Sequence, residues 1–330
     1  MNATAEEFPT TLMDAIRYFG EEDNAFNYFK SLRWPKGEPV CPCCESKGAH
    51  FMASRKVWKC RTCKKQFSVK VGTLFEDSPI KLDKWLCAVW MIVNAKNGVS
   101  SYEIHGALGV TQKSAWFMMH RVRLALQTGS FDKMGGIVEA DETYIGGKAR
   151  NMHKHLREAK IKGTGGVGKT AVQGLLERGN REKASRVKLK VLPDVKAQTV
   201  KMEVRYNVEG GSEVHTDALK SYIGLQGQFE HKVVDHAVQY VDGHVHTNGL
   251  ENFWSLLKRT LKGTYVSCEP FHLFRYLDEQ AFRFNERKDN DLGRFYKALC
   301  GIVGKRLTWA KLTDAGGPTR RMLERLDSPA

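Results

Sequence analysis

Two sets of side chains in this 330-residue sequence have the types and spacing to do chemistry. The first is sulfur. Five of the eight cysteines fall between residues 41 and 63, and four of them form Cys41-x2-Cys44, fifteen residues, then Cys60-x2-Cys63. Each pair is a tight knuckle that turns two thiolates toward one ion, and two knuckles complete the closed four-sulfur tetrahedron that structural zinc prefers. A full set of four leaves no open position, which argues against catalytic zinc. Cys43 sits outside the x2 spacing and is expected to be a spare thiol. The competing reading of the cluster is coincidence or a redox pair.

The second set is acidic. Asp141 lies in GIVEADETYIGGK, Asp217 in SEVHTDALKSY, and Glu251 near the start of a long helix-like stretch, with Lys258 seven residues on. Seven helical residues turn through about 700°, so Glu251 and Lys258 share a face. An aspartate in an apolar strand is costly to bury unless it is paired or holds a cation. Three carboxylates with phosphate oxygens make an all-oxygen site suited to two Mg2+ ions (or Mn2+), about 3.5–4 Å apart in such enzymes. The same acids also read as unrelated solvated carboxylates among the 37 in the chain, and spacing alone leaves both readings open. A third pattern, Gly163 to Thr170, fits the phosphate-loop signature by letter. That loop needs a buried strand before it and a helix after it. Here a polar, basic stretch precedes it and a strand-like one follows, so a basic Gly-rich loop without nucleotide is expected.

The elements that must hold these residues can be read from periodicity. Residues 1–38 carry a short apolar-periodic helical segment and 39–78 the cysteine segment. In the latter, HFMASRKVWKC alternates like a strand and KKQFSVK like its hairpin partner. Residues 79–130 read as helical: one apolar helix from about Leu82 to Lys96, a second opened by a Ser100–Glu103 capping box, and a third capped by Thr111. The third carries a core stripe of Ala115, Met119, Val122 and Leu126. Gln112, Lys113, His120, Arg121 and Arg123 fall largely elsewhere, which matches a DNA-binding helix-turn-helix as well as a bundle with a solvated basic face. Residues 131–295 give three strands, a helix, a strand ending at Asp217, a helix, a strand, and the long helix from about 248 to 262. One acid thus falls on the first strand, one at the end of the fourth, and one on the last helix, an α/β layout that could bring them together at one sheet edge. Residues 296–330 read as a basic tail.

The balance of 52 Lys+Arg against 37 Asp+Glu leaves a net charge of +15, and 42% hydrophobic residues suffice for ordinary cores. Such an excess points to a polyanionic partner, nucleic acid first. The longest apolar run, Trp85–Val93, is nine residues, well short of the about 20 that span a bilayer. Without a basic and then apolar leader, a soluble cytoplasmic protein with no membrane partner is expected.

The segments LRWPKGEPVCPCC, CRTCKKQFSVKVGTLFEDSPIKLDKW, VEADETYIGGK, HTDALKSY, HTNGLENFWSLLKRTLKGTY and YLDEQAFRFNER, in this order, resemble the ISXO-type transposases of bacterial insertion sequences. The resemblance runs from about residue 20 to 290. It implies an N-terminal zinc ribbon and a DDE catalytic domain with the RNase H-like mixed sheet. It also implies that Asp141, Asp217 and Glu251 are the metal-holding catalytic acids, with Lys258 the accompanying lysine and Asn248 or His246 as neighbours that could share the third acid's role. The implied reaction is cleavage of a phosphodiester at a transposon end, then attack of the freed 3′-hydroxyl on target DNA without ATP. The implied partners are double-stranded DNA (terminal inverted repeats and target) and at least a second copy of the chain. A non-catalytic zinc-ribbon/helix-turn-helix regulator and a nuclease without strand transfer are the competing readings. Arg283, Asn285 and Arg287 of FRFNER read as DNA-backbone contacts or a polar helix end, and Trp254 and Tyr265 as core rather than base contacts.

Overall fold

In the computed structural model, residues 8–127, 132–147, 153–155, 158, 168–234 and 245–313 are described. Two compact units emerge: the chain up to Gln127 together with its return from Asp289, and the chain between, ending at Lys288.

The first unit begins with helix α1 (Leu12–Gly20), opened by a Thr11–Asp14 capping box, and helix α2 (Glu22–Arg33). The cysteine segment then forms a three-stranded antiparallel sheet, β1 (Ala49–Met52), β2 (Val57–Cys60) and β3 (Gln66–Ser68). The stretch expected as one strand is two. Ala53–Arg55 make a 3-10 turn and Lys56 adopts a left-handed conformation (φ 49°), so the chain doubles back before KKQFSVK pairs with β2. Trp58 is 2% exposed, with its ring 5.7 Å from Phe26, 4.9 Å from Trp34 and 6.0 Å from Phe67. The small ribbon therefore closes against α2 with aromatic packing, area that its own strands are too few to bury.

Helix α3 (Leu82–Asn94) buries eight of its thirteen residues and is apolar nearly all round. Helix α4 (Ser101–Leu108) starts at Ser100, whose hydroxyl accepts from the Glu103 amide at 3.2 Å, and helix α5 (Gln112–Ala125) starts at Thr111, which accepts from Ser114 at 3.1 Å. One expectation fails here. His120, Arg121 and Arg123, read as part of a basic outer face, are 0%, 5% and 1% exposed.

In the second unit, strands β4 (Ile137–Ile145), β5 (Thr170–Glu177) and β6 (Arg186–Leu192) run antiparallel in turn. Helix α6 (Ala197–Asn207) leads to β7 (Glu213–Asp217), then β8 (Glu230–Val234), both parallel to β4. The sheet order is β6-β5-β4-β7-β8. Helices α7 (Asn248–Gly263) and α8 (Leu273–Asn285) follow. The pleat sorts the core into two layers. Val138, Ala140, Leu175 and Val214 meet Val200 and Val204 of α6 on one face. Val172, Leu176 and Val187 meet Leu250, Phe253, Trp254 and Leu277 on the other. After Asp217 the expected helix is only a 3-10 turn, Lys220–Tyr222, because the Asp217 carboxylate accepts the Leu219 amide at 3.1 Å and turns the chain.

From Asp289 the chain rejoins the first unit through helix α9 (Asp291–Cys300) and the short helix α10 (Trp309–Thr313). Phe295 is fully buried, 5.4 Å from Phe19 and 5.1 Å from Trp90 between ring centres. This return is what covers the outer face of α5. Arg121 donates to the Leu307 carbonyl at 3.1 Å and to the Glu76 carbonyl at 2.9 Å, and the Trp309 ring lies 5.4 Å from Phe117. The expected tail is thus built into the unit through Thr313, while residues 314–330 lie outside the described residues. Among the described residues, no helix is long and apolar enough to cross a membrane.

Candidate active site and metal-binding ribbon

The four spaced cysteines converge. Cys41 and Cys63 sulfurs lie 3.6 Å apart, as do those of Cys44 and Cys60, and all four lie within 4.8 Å of one another. A tetrahedron with 2.3 Å metal–sulfur bonds places its sulfurs about 3.8 Å apart, so the set fits zinc without rearrangement. Each knuckle ends on a non-glycine residue in the left-handed region, Glu45 (φ 56°) and Lys64 (φ 63°), a conformation costing about 1–2 kcal/mol that ligation would hold. Cys43 stays outside the set, exposed, its sulfur 3.0 Å from the Lys65 ammonium.

The acids come from three elements. Asp141 is on β4, Asp217 is the last residue of β7, and Glu251 is in the first turn of α7. The parallel register pairs Ala140 with Thr216, which sets Asp141 and Asp217 side by side at the next position. Burial, then the charges of Asp217 and Glu251, push Asp141 up to about 6, against a hydrogen bond from Trp254 that favours its charged form. Asp217 and Glu251 are therefore both in electrostatic reach of Asp141. Their oxygens do not form a tight cage: among the described residues, the four cysteines are the one group of three or more such ligands within 4.8 Å of one another. Lys258 lies seven residues beyond Glu251, two turns along the same side of α7 and about 10 Å further on.

What brings α7 so close to the strands is a missing side chain. Gly174 stands opposite Asp141 on β5, and a Cβ there would sit 2.6 Å from the Trp254 ring. The indole fills that notch, 5% exposed, and its Nε1 donates to Asp141 Oδ2 at 2.8 Å. Trp254 is core, as the sequence suggested, and also fixes the carboxylate. On the opposite sheet face Glu142 accepts a short hydrogen bond from the Tyr222 hydroxyl, whose oxygen lies 3.4 Å from Gln173 Nε2. Burial foremost pushes Glu142 up to about 8, with Asp141 and Asp217 adding to it.

Sequence reasoning missed Gly174, Glu142, Glu139 and Arg178. A glycine inside an otherwise apolar strand was the available signal for the first. The others needed the sheet register. His246, a candidate for sharing the third acid's role, is instead bound by Arg178 Nη2 at 2.7 Å, and Asn248 is the exposed first residue of α7. Of the FRFNER residues, Arg283 is buried, Asn285 half-buried and Arg287 exposed. Asn285 and Arg287 bond the backbone of β6 and the residue before it, and Arg283 pairs with Glu279 and donates to the Tyr265 hydroxyl. In the phosphate-loop pattern, residues 163–167 lie outside the described residues, and Thr170 opens strand β5 where that loop requires a helix.

Comparisons with known proteins match both the cysteine ribbon and the mixed sheet to transposase domains. Residues 20–66 match the transposase zinc-ribbon domain, and residues 133–285 match the ISXO2-like transposase domain. The second match starts just before β4 and ends on the last residue of α8. A relative from Halobacterium salinarum, described as an uncharacterized protein in transposable element ISH50, is 28% identical over 264 residues, covering 76% of this chain and 86% of the relative. The two matches fall in the order that the sequence resemblance anticipated.

Proposed function

We propose that this protein is the transposase of an insertion sequence, cutting DNA at the element's ends and joining the freed 3′-hydroxyls to target DNA. The observation that carries this reading is the gathering of Asp141, Asp217 and Glu251 from three separate elements around one sheet position. The order β6-β5-β4-β7-β8, with three antiparallel strands continued by two parallel ones, supports an RNase H-like fold for the unit. Asp141, Asp217 and Glu251 would hold divalent cations, Mg2+ or Mn2+. Their donor set is all carboxylate oxygen, and a bound cation would offset the burial and the neighbouring acids that disfavour a charged Asp141. When bound, such ions activate the attacking oxygen and stabilise the leaving one.

The chain's own residues supply position. Trp254 holds the Asp141 carboxylate toward the site, and Lys258, further along α7, is suited to a DNA phosphate on the same side. The ribbon, with Lys59, Arg61 and Lys64 around its knuckles, supports contact with the duplex backbone. The α4–α5 pair supports a helix-turn-helix whose reading end is reduced to the exposed Thr111 and Lys113 at the start of α5. Joining two ends to one target calls for at least a second copy in the DNA complex.

The test incubates purified protein with labelled element-end duplex, a target plasmid and Mg2+. Nicked ends and joined products are expected, and Asp141→Asn is expected to lower both by at least about 10³-fold while leaving DNA binding intact. Binding without any cleavage by the unaltered protein would make it a regulator instead. Cleavage without joined products would make it a nuclease.

A further inference from the structure

We propose that Glu139 and His215 are positioning residues: a buried cross-strand pair that sets where Glu251 enters the site. The proposal rests on the reading of Asp141, Asp217 and Glu251 as the metal-holding acids. Glu139 and His215 are register partners on the parallel strands β4 and β7, each two residues before the acid of its strand and so on the same face. They are 1% and 0% exposed. Both reach the segment that opens α7.

Glu139 does the capping that this helix otherwise lacks. Thr247, at the N-cap, makes no side-chain cap bond, and the Leu250 amide donates instead to Glu139 Oε2 at 2.9 Å. A carboxylate there also suits the positive end of the helix dipole. The approach requires Gly249, since a Cβ at that position would lie 2.8 Å from Glu139 Oε2. Arg178 Nε donates to Glu139 Oε1 at 2.7 Å, and its Nη2 lies 2.7 Å from both the His246 carbonyl and His246 Nδ1. Arginine only donates, so His246 Nδ1 accepts. On the neighbouring strand, His215 Nε2 lies 2.5 Å from Glu213 Oε1, which makes that nitrogen the donor and leaves Nδ1 to receive the His246 amide at 3.4 Å. The start of α7 is thus tied to both strands that carry the other acids. Glu251 is the residue immediately after the captured amide, so any loosening of the brace moves its carboxylate relative to Asp141. A shift of about 1 Å at a reacting centre can cost about 100-fold in rate.

Gly249→Ala is the sharpest test. Alanine is the better helix former, so a merely structural account expects an unchanged or firmer α7, whereas the brace predicts that the methyl pries Glu139 off the Leu250 amide. Glu139→Gln and Arg178→Lys weaken the same contacts without adding volume. Two measurements on the full chain need no DNA: Mn2+ binding followed by the resonance of the free ion, and amide hydrogen exchange. In Gly249→Ala, we expect Mn2+ affinity to fall at least about 10-fold and the Leu250 and Glu251 amides to exchange faster, while β4 and β5 keep their protection. With DNA and Mg2+, kcat should fall about 100-fold with little change in KM. Wild-type exchange at Leu250, or unchanged Mn2+ affinity, in Gly249→Ala would overturn the brace. A wild-type protein that never cleaves DNA would overturn the transposase reading, while the exchange and Mn2+ results would still decide the brace.

Discussion

At Asp141 and Glu142, adjacent residues on opposite faces of β4, the surroundings disfavour charge. For Asp141 this is burial first, with the charges of Asp217 and Glu251 adding to it. Glu142 has no such use on the α6 side, where it takes a hydrogen bond from Tyr222. The sign of its effect on stability follows from the direction of the shift. Its folded-state value, about 8, lies above the ordinary 4.5, so the folded protein holds the proton longer than the unfolded chain. The contribution of Glu142 to stability is then fully present below about pH 4.5 and is lost as pH rises through about 8. Glu142→Gln removes the charge and keeps an oxygen to accept from Tyr222. Denaturant unfolding should find the variant more stable than wild type at pH 9, by on the order of 2 kcal/mol, with the difference shrinking toward pH 5. Equal stabilities at both pH values would mean that the carboxyl is not desolvated.

Among the elements, β6 is the strand with most to lose, because it forms one edge of the five-stranded sheet. Asn285, the last residue of α8, covers it. Its Oδ1 accepts the Val187 amide at 2.7 Å and its Nδ2 donates to the Val187 carbonyl at 3.1 Å, so one side-chain amide imitates a neighbouring strand. Asn285→Ala should cost about 1–3 kcal/mol in thermal unfolding and promote self-association detectable by light scattering, as an unmasked edge does. Elements of this unit were legible in the sequence because period-two alternation and the span of each helix are local properties. The strand ending at Asp217 and the helix opening at Asn248 fall where the pattern put them. The ribbon's β2–β3 hairpin was legible, but the turn between β1 and β2 was not, since Lys56 turns left-handed without a glycine to announce it. Nor was the burial of His120, Arg121 and Arg123, because periodicity finds one apolar face and cannot see that a distant segment covers another. The acids were legible as residues, but the register that pairs Glu139 with His215 beneath them is a property of the sheet.

For the molecule as a whole, the charge of +15 and the metal are linked through the ribbon. Four thiolates that close on one ion contribute apparent binding energies of about 10–16 kcal/mol in small zinc domains, comparable to the stability of an entire domain. Stripping the metal with a chelator should therefore remove exchange protection across β1, β2 and β3, shift the emission of Trp34 and Trp58 to the red, and weaken DNA binding. Restoring Zn2+ should reverse all three, and protection that survives verified metal loss would show that aromatic packing alone holds the ribbon. The route of the chain has a consequence for its synthesis. Phe295 completes a core begun by Phe19 and Trp90, so along the chain the described part of the second unit falls between the opening and closing segments of the first. On the ribosome the ribbon and helices α1–α5 must wait, partly uncovered, while the sheet that bears the acids is translated and free to fold. The portion built first is thus the portion finished last, and a nascent chain stalled before Asp289 would carry a complete five-stranded sheet while the aromatic core of the first unit stayed open.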